Sequence, residues 1–269
     1  MTCAIVNSFS STRVNDLKSA DAWPSGGALV VTATFNERDN IDLLIEKVLA
    51  TDPTIQLLVI DDDSPDQTGI HAMLLATQNA RLHVLVRRGR RGLGSAIEEG
   101  FREASRRGFF VAVNIDGDLS HDPADIPRLL VAFGKSPAID VVIGSRRLPN
   151  GGVIGWPISR HISSFLVCFY ARWILRIPVR DASSGFRAVR LACFDRLGDH
   201  FTQGYAFHEE LLWRIARAGG SFVEIPITFT NRGRGTSKAG WIESLRAIRV
   251  LLRLAGVTWL LRNQKSPKQ

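Results

Sequence analysis

The sequence has little cysteine, and this shortage narrows the kinds of site it can hold. Its 269 residues include three cysteines, Cys3, Cys168 and Cys193. An odd number without the spacing of metal ligands predicts reduced thiols. Neither a disulfide framework nor a zinc site is therefore expected.

The sequence also lacks long apolar runs. No stretch reaches the about 20 consecutive apolar residues that a bilayer-spanning helix needs. Residues 1–21 lack the apolar segment of a secretory leader, which lies between a basic start and a small-residue cleavage site. We therefore expect a protein that faces the cytosol.

Basic residues outnumber acidic ones by 34 to 26, which gives a net charge of +8 at pH 7. This excess suits nucleic acid, an anionic membrane surface or a phosphorylated substrate. Paired carboxylates come before position 126, whereas arginines cluster among aromatic and aliphatic residues after position 145. The asymmetry favours a metal-nucleotide site followed by a phosphate-facing or membrane-facing surface, and no nucleic acid is expected as a partner.

Short apolar runs alternate with helical patterns along most of the chain. Five runs have the near-continuous hydrophobicity of parallel strands covered on both faces: Ala28–Val31, Leu57–Ile60, Leu82–Val86, Phe109–Val113 and Asp140–Ile143. Residues 41–49 and 96–104 have helical spacing. The succession predicts an α/β fold with a Rossmann-like open, mostly parallel sheet and helices on both faces.

Composition divides the chain into three parts. Residues 1–27 are polar and predict a flexible arm, residues 28–240 form the main domain, and residues 241–269 predict an amphipathic helix with a basic tail. The segments Ile158–Ile177 and Trp241–Leu261 are apolar but interrupted by arginines. Both are open to two interpretations, a membrane-surface helix or an amphipathic helix that packs on the core.

Acidic clusters follow three of the predicted strands. They are Asn36-Glu37, Asp61-Asp62-Asp63-Ser64 and Asp116-Gly117-Asp118. Each alone could cap a helix or form a turn. Because ligands of such sheets bind at the carboxyl ends of the strands, the convergence of all three is the stronger signal.

The Asp-x-Asp turn predicts a metal site. Two carboxylates can hold Mg²⁺ or Mn²⁺ and leave its other positions to water and phosphate oxygens. Asp116 and Asp118 are the predicted ligands, with Ser120 or water as a third. Such an ion would neutralise charge on a departing diphosphate.

Other interpretations of these motifs can be weighed on the residues themselves. A calcium loop from Asp61 would need Gly and Glu where Asp66 and Ala72 stand, and Gly92-Leu93-Gly94 is an incomplete dinucleotide motif. An aspartyl-phosphate phosphatase also has Asp-x-Asp after a buried strand. It stays a minor alternative, because the acidic clusters at the other two strand ends would then have no function in the reaction.

The second half of the sequence supplies positive charge. Arginine is suited to bidentate phosphate binding, and loop-like or helix-start positions hold Arg146, Arg160, Arg187, Arg190, Arg232 and Lys238. Each alone would more often be a solvated surface residue. Together with Gly185 they could form an anion-binding lid over the acidic half.

Taken together, these motifs resemble those of the dolichol-phosphate mannosyltransferases, also called polyprenol monophosphomannose synthases, which are family-2-type glycosyltransferases with the GT-A fold. The resemblance runs from about Leu29 to Gly240. Motifs shared across family-2-type enzymes lie at residues 33–40, 60–66 and 116–121. Those more particular to the polyprenyl-phosphate branch lie at residues 144–146, 151–156, 184–187 and 235–238.

The resemblance implies a mannosyl transfer from GDP-mannose to dolichyl or another polyprenyl phosphate, with Mg²⁺ or Mn²⁺ as cofactor. A single displacement by the lipid phosphate would invert the anomeric carbon, and this phosphate is already ionised, so no strong protein base is needed. Asp116, Asp118 and Arg146 are the implied catalytic residues. A glucosyl or aminosugar transferase with a UDP-sugar donor and a non-catalytic lipid-phosphate-binding subunit remain as alternatives.

The resemblance also implies contacts for individual residues. The nucleotide-sugar set is Ala33, Phe35, Glu37, Ile60, Asp62, Asp116, Gly117, Asp118, Arg232 and Lys238. The lipid-phosphate set is Arg146, Arg160, Ser164 and Arg187. The family usually has Pro, Tyr and Ala where this chain has Ala33, Phe35 and Gly117.

Three further implications concern attachment and the remaining motif residues. Many relatives carry transmembrane helices after the catalytic domain, so attachment here would come from surface helices or small partner subunits at the cytosolic face of a membrane. Glu210 matches a family acid, but a helix-start charge or a salt bridge is the favoured role. His121 is expected to pack at the turn beside the metal loop, and His208 receives no catalytic role.

Overall fold

A computed structural model describes residues 27–231 and 241–264, with side chains from 245 to 260 in the second range. Most of the predicted arm at 1–27, the end of the predicted tail and the binding residues Arg232 and Lys238 therefore lie outside the described residues. The division of the chain at residues 27/28 and 240/241 stays a prediction.

The described chain alternates strands and helices. The strands are β1 (Ala28–Thr34), β2 (Gln56–Asp61), β3 (Leu82–Val86), β4 (Val111–Asn114), β5 (Val141–Ser145), β6 (Gly152–Ile154), β7 (Arg187–Arg190), β8 (Phe222–Pro226) and β9 (Thr228–Thr230). The helices are α1 (Arg38–Ala50), α2 (Thr68–Ala76), α3 (Leu93–Arg106), α4 (Ile126–Gly134), α5 (Ile158–Trp173), α6 (Leu191–Phe194), α7 (Phe207–Arg217) and α8 (Trp241–Gln264).

The central sheet has seven strands in the order β3-β2-β1-β4-β7-β5-β8. Strands β3, β2, β1 and β4 are parallel, and β5 is parallel to β8. Strand β7 runs antiparallel to both of its neighbours. The predicted open, mostly parallel sheet is confirmed, and all five predicted strands are present within three residues of their expected bounds.

Helices cover both faces of this sheet because successive residues of each strand point to opposite sides. In β1, Val30 faces the layer that holds α1 and α4, whereas Leu29 and Val31 face the layer that holds α3 and α7. Helix α3 approaches β1 so closely that a Cβ on Gly100 would lie 2.4 Å from Val31 Cγ1. The two apolar layers therefore fix the strands and with them the positions of the loops at their carboxyl ends.

A second, two-stranded sheet pairs β6 with β9 in parallel. It is tied to the loop after β4, since His121 forms an isolated bridge with Phe229 and Thr230 N donates to Ser120 O at 2.9 Å. Across the ranges that can be described, none of the helices is both long and apolar enough to cross a bilayer.

Candidate active site

The loop after β4 brings Asp116, Gly117 and Asp118 to the edge where β1 and β2 also end. Gly117 packs against β1, where an added Cβ would lie 3.2 Å from Thr34 Cγ2. Leu119 then takes a positive φ of 59°, and Ser120 N donates to Asp118 Oδ1 at 3.0 Å. The turn thus holds both acidic residues on one short, tightly closed segment.

Asp116 is held by His121. The imidazole Nε2 lies 3.4 Å from Asp116 Oδ2, and the histidine side chain is buried against the rings of Phe186 and Phe229, with centroids 5.1 and 5.0 Å away. Burial of Asp116 raises its pKa, but the hydrogen bond and charge of His121 outweigh this and lower the pKa overall. Asp116 is therefore a carboxylate, and His121 packs beside the loop as predicted.

The other side of Asp116 is closed by the backbone of Gly185. A Cβ on Gly185 would lie 3.0 Å from Asp116 Oδ1 and 3.4 Å from His208 Nε2. Asn114 fixes this backbone, since its Nδ2 donates to Gly185 O at 2.7 Å. Only a residue without a side chain fits this approach undisturbed.

The oxygen atoms of this loop fit a hard divalent cation. Asp116 and Asp118 supply carboxylates, and the buried Ser120 Oγ has no hydrogen-bond partner among the described residues. In the same part of the chain no three His, Cys, Asp or Glu side chains group as a complete chelate. The donor set matches Mg²⁺ or Mn²⁺, which keep several positions for water and phosphate oxygens.

Two acidic residues at the end of β2, Asp61 and Asp62, are bound within the protein. Asp61 is buried and accepts from Thr34 Oγ1 at 2.9 Å and from Ser64 N at 2.8 Å, so the turn interpretation is confirmed for this residue. Asp62 accepts from Arg87 Nε at 2.7 Å and from Gly92 N at 2.8 Å. These bonds set the shape of the second strand end.

The predicted nucleotide residues lie around this edge. Ala33 and Ile60 are paired in the β1–β2 register, and the Ile60 side chain is fully buried in the core. Phe35 is half-buried with the Arg91 guanidinium 4.6 Å from its ring centroid. Glu37 is nearly buried and accepts from Asn40 Nδ2 at 2.8 Å. The structure thus brings these residues together beside the Asp116 loop.

Arg146 forms a buried ion pair that the sequence did not reveal. Its Nε and Nη2 donate to the two oxygens of Asp181 at 2.8 and 2.7 Å, and its backbone N donates to Asp181 Oδ2 at 2.9 Å. Burial opposes both charges, but the paired hydrogen bonds raise the pKa of Arg146 and lower that of Asp181. The pair is thus fully charged and mutually neutralised.

Trp156 joins the predicted acceptor residues. The Arg146 and Arg160 guanidinium groups lie 5.0 and 4.4 Å from its ring centroid, which is within the range of cation–π contacts. A cavity of about 420 Å³ opens beside it and is lined by Arg146, Arg147, Val153, Trp156, His161, Ile162, Ser164 and Phe165. Two predicted acceptor residues, Arg146 and Ser164, therefore share one cavity, and Arg160 adjoins it through Trp156.

Arg187 has a different position from the one expected. It is fully buried and donates from Nε to Ser184 O at 3.0 Å and from Nη1 to His208 O at 2.8 Å. Burial lowers its pKa to about 10. Its guanidinium is occupied by backbone carbonyls, so it supports the loop before β7 and does not face the cavity in the way that the predicted lipid-phosphate contact required.

The favoured role of Glu210 is confirmed. Its Oε1 accepts from Arg214 Nη2 at 2.7 Å, and its Oε2 accepts from Thr202 N at 2.8 Å.

The neighbouring Glu209 and His208 are buried, and burial raises the pKa of Glu209 to about 7 and lowers that of His208 to about 3. Neither burial could be read from the sequence, because this helix start looks polar.

Comparison with known proteins identifies relatives that cover most of the chain. The family model for glycosyl transferase family 2 matches residues 29–198. Polyprenol monophosphomannose synthase from Mycolicibacterium smegmatis is 40% identical over 222 residues, covering 81% of this chain and 83% of that protein. Undecaprenyl-phosphate mannosyltransferase from Micrococcus luteus is 39% identical over 213 residues, covering 78% of this chain and 86% of that protein.

Solved structures show the same fold at low identity. Glucosyl-3-phosphoglycerate synthase from Mycobacterium tuberculosis with phosphoglyceric acid gives a TM-score of 0.69 at 20% identity, over 93% of this chain and 86% of that chain. The complex of that enzyme with Mn²⁺, UDP and glucosyl-3-phosphoglycerate gives 0.65 at 18%, over 99% and 90%. The architecture is therefore the GT-A fold.

Proposed function

The chain belongs to glycosyl transferase family 2 and is a glycosyltransferase, and from this premise we propose that it transfers a mannosyl residue from GDP-mannose to a polyprenyl phosphate such as dolichyl phosphate. One observation carries the proposal. Phe229 contacts both halves of the site, with His121 of the acidic loop at 5.0 Å and Arg146 of the cavity at 5.7 Å. The acidic loop and the arginine-lined cavity thus adjoin at one ring, which supports a donor site beside an acceptor site.

On the donor side, Asp116, Asp118 and Ser120 would hold a divalent ion. When bound, such an ion supplies positive charge against the departing diphosphate oxygens. His121 keeps the Asp116 carboxylate ionised and oriented, and Gly185 leaves it room. The nucleotide would lie along the ends of β1 and β2, where Ala33, Phe35 and Glu37 stand.

On the acceptor side, arginine guanidinium groups at the cavity would bind the lipid phosphate. A phosphate monoester is already ionised near neutral pH, so its oxygen can attack the anomeric carbon without a protein base. The residues around the cavity would then orient the nucleophile and exclude water. These two effects can supply much of the rate enhancement of a displacement reaction. A single displacement inverts the anomeric configuration.

A lipid acceptor also requires contact with a membrane surface. Large apolar side chains are exposed on α5, namely Ile158, Ile162, Phe165, Leu166, Phe169 and Trp173. More are exposed on α8, namely Leu245, Ile248, Leu252, Trp259 and Leu260. Tyr170 OH donates to Leu251 O at 3.3 Å and joins the two helices. These helices support peripheral binding at the cytosolic face, with or without anchoring subunits.

The proposal is tested by incubating the protein with radiolabelled nucleotide sugars, Mg²⁺ or Mn²⁺ and a polyprenyl phosphate, and counting label in the organic phase. We expect transfer from GDP-mannose and none by Asp118→Ala. Transfer from a UDP-sugar alone would replace mannose by another sugar. Phosphate release without any nucleotide sugar would indicate a phosphatase, and lipid binding without transfer from any donor would indicate a binding subunit.

A further inference from the structure

Arg147 lines the cavity, and it forms no ion pair with a carboxylate of the described residues. Its Nη2 donates to Ser164 Oγ at 3.0 Å, and its guanidinium lies 5.8 Å from the Phe165 ring centroid. Its Nε is buried and has no hydrogen-bond partner among the residues that the structure describes. An unpaired buried donor on a cation is costly, so this position favours an anion.

The neighbouring Arg146, by contrast, is paired with a carboxylate. Asp181 accepts from its Nε and Nη2 at 2.8 and 2.7 Å, and Ser183 Oγ accepts from Nη2 at 2.7 Å. Within the described ranges no carboxylate lies within ion-pair distance of Arg147. The net positive charge of the cavity therefore comes from Arg147 more than from Arg146.

The remaining walls of the cavity suit an amphipathic ligand. Val153, Trp156, Ile162 and Phe165 supply apolar surface next to the Arg147 and Ser164 polar groups. Ile162 and Phe165 are each 55% exposed, so the cavity opens directly beside the apolar face of α5. A phosphate at Arg147 could thus keep its hydrocarbon chain on that face.

We propose that Arg147 is a further ligand of the acceptor phosphate, supplying with Ser164 charge-assisted hydrogen bonds beyond those available from Arg146, whose Nε and Nη2 are bound to Asp181. The inference rests on the proposed function, since it takes a prenyl phosphate as the acceptor. Its chemistry is that of a phosphate monoester with an apolar tail. An unesterified phosphate would share the headgroup contacts but not the apolar walls.

Direct binding tests this inference without turnover. Isothermal titration measures the affinity of the full chain for a short, water-soluble prenyl phosphate, for the matching prenyl alcohol and for inorganic phosphate. We expect Arg147→Gln to weaken prenyl phosphate binding by about tenfold or more, as for the loss of a charge-assisted hydrogen bond. Arg147→Lys keeps the charge but not the guanidinium fork, so its affinity for prenyl phosphate should lie between those of the wild type and Arg147→Gln.

Kinetics supply the second readout. With the long-chain acceptor, Arg147→Gln should raise the acceptor KM while the donor KM and the melting temperature stay near the wild-type values. Arg217→Gln removes an exposed arginine at the end of α7 and serves as the matched control, with no change in any of these quantities. A folding defect would instead alter both KM values and the melting temperature.

Three results would overturn the inference. Equal prenyl phosphate affinity in wild type and Arg147→Gln would remove Arg147 from the site, even if mannosyl transfer is intact. Equal wild-type affinity for the alcohol would show that the phosphate is not recognised there. Inorganic phosphate bound as tightly as prenyl phosphate would assign the site to unesterified phosphate. Absence of transfer with Arg147-dependent prenyl phosphate binding would instead refute the proposed function alone.

Discussion

His121 Nε2 lies 3.4 Å from Asp116 Oδ2, and the ring that carries it is buried between Phe186 and Phe229. His121→Phe keeps an aromatic ring but removes the partner of the carboxylate. We expect kcat/KM to fall by about 10- to 100-fold, as when a group that orients a metal ligand is lost. The concentration of Mg²⁺ or Mn²⁺ needed for half-maximal activity should rise. Unchanged metal dependence in steady-state assays would contradict the orienting role.

Gly185→Ala should impair activity more than stability. The new Cβ would lie 3.0 Å from Asp116 Oδ1, tighter than ordinary packing, so the carboxylate must move. We expect a fall in kcat, measured at saturating donor and acceptor, with a melting temperature close to that of the wild type. Gly256→Ala, whose Cβ would meet nothing within 4 Å, is the matched control and should leave kcat unchanged.

Asp181→Asn should destabilise the fold. It leaves the Arg146 guanidinium in a buried position without its counter-charge, which costs about 3 kcal/mol or more in the free energy of unfolding. Chemical denaturation measures the loss. Asp42→Asn removes an exposed partner of Arg38 and His71 and should cost about 1 kcal/mol or less. Similar losses in the two variants would contradict the difference in burial.

Two buried groups on α7 should give opposite pH dependences of stability. Burial lowers the pKa of His208 to about 3, so from there to its ordinary 6.5 the unfolded chain binds more protons and stability rises with pH. Burial raises the pKa of Glu209 to about 7, so from its ordinary 4.5 to 7 the folded chain binds more protons and stability falls as pH rises.

Glu209→Gln removes the second dependence only. Between about pH 4.5 and 7, its free energy of unfolding should therefore gain on that of the wild type as pH rises, by at most about 1.4 kcal/mol per pH unit. Denaturant titrations at several pH values measure the difference between the two proteins. Parallel stability curves would mean that Glu209 ionises normally in the folded protein.

Membrane binding should depend on α5. Leu166 and Phe169 are 58% and 51% exposed and do not line the cavity, so Leu166→Ser with Phe169→Ser should reduce flotation with anionic vesicles. Activity on a short, soluble acceptor should stay near the wild-type value. Leu74→Ser removes a side chain that is 61% exposed on α2 and should leave flotation unchanged. Equal flotation of all variants would exclude α5 as the contact surface.

Much of the architecture could be predicted from the sequence because local pattern reports it directly. Short apolar runs such as Leu57–Ile60, which come between helical patterns, favour a strand covered on both faces, and β2 occupies that position. Strand β7 was missed, because its four residues begin and end with arginine and its place between β4 and β5 depends on distant partners. Helix α2 was missed because its short apolar stretch has little periodicity.

The sequence by itself determined the fold class, the three acidic strand ends and the Asp116 turn, since each depends on neighbours in the chain. Only the tertiary structure decided which charges are available. Arg146, Arg147 and Arg187 are the same residue type in the sequence. Asp181 neutralises the first, the second lines a cavity whose described lining residues include no carboxylate, and backbone carbonyls occupy the third. Several of these partners are distant in the chain, since Asp181 lies 35 residues from Arg146, Ser164 lies 17 from Arg147 and His208 lies 21 from Arg187, and their placement depends on how the fold brings these segments together.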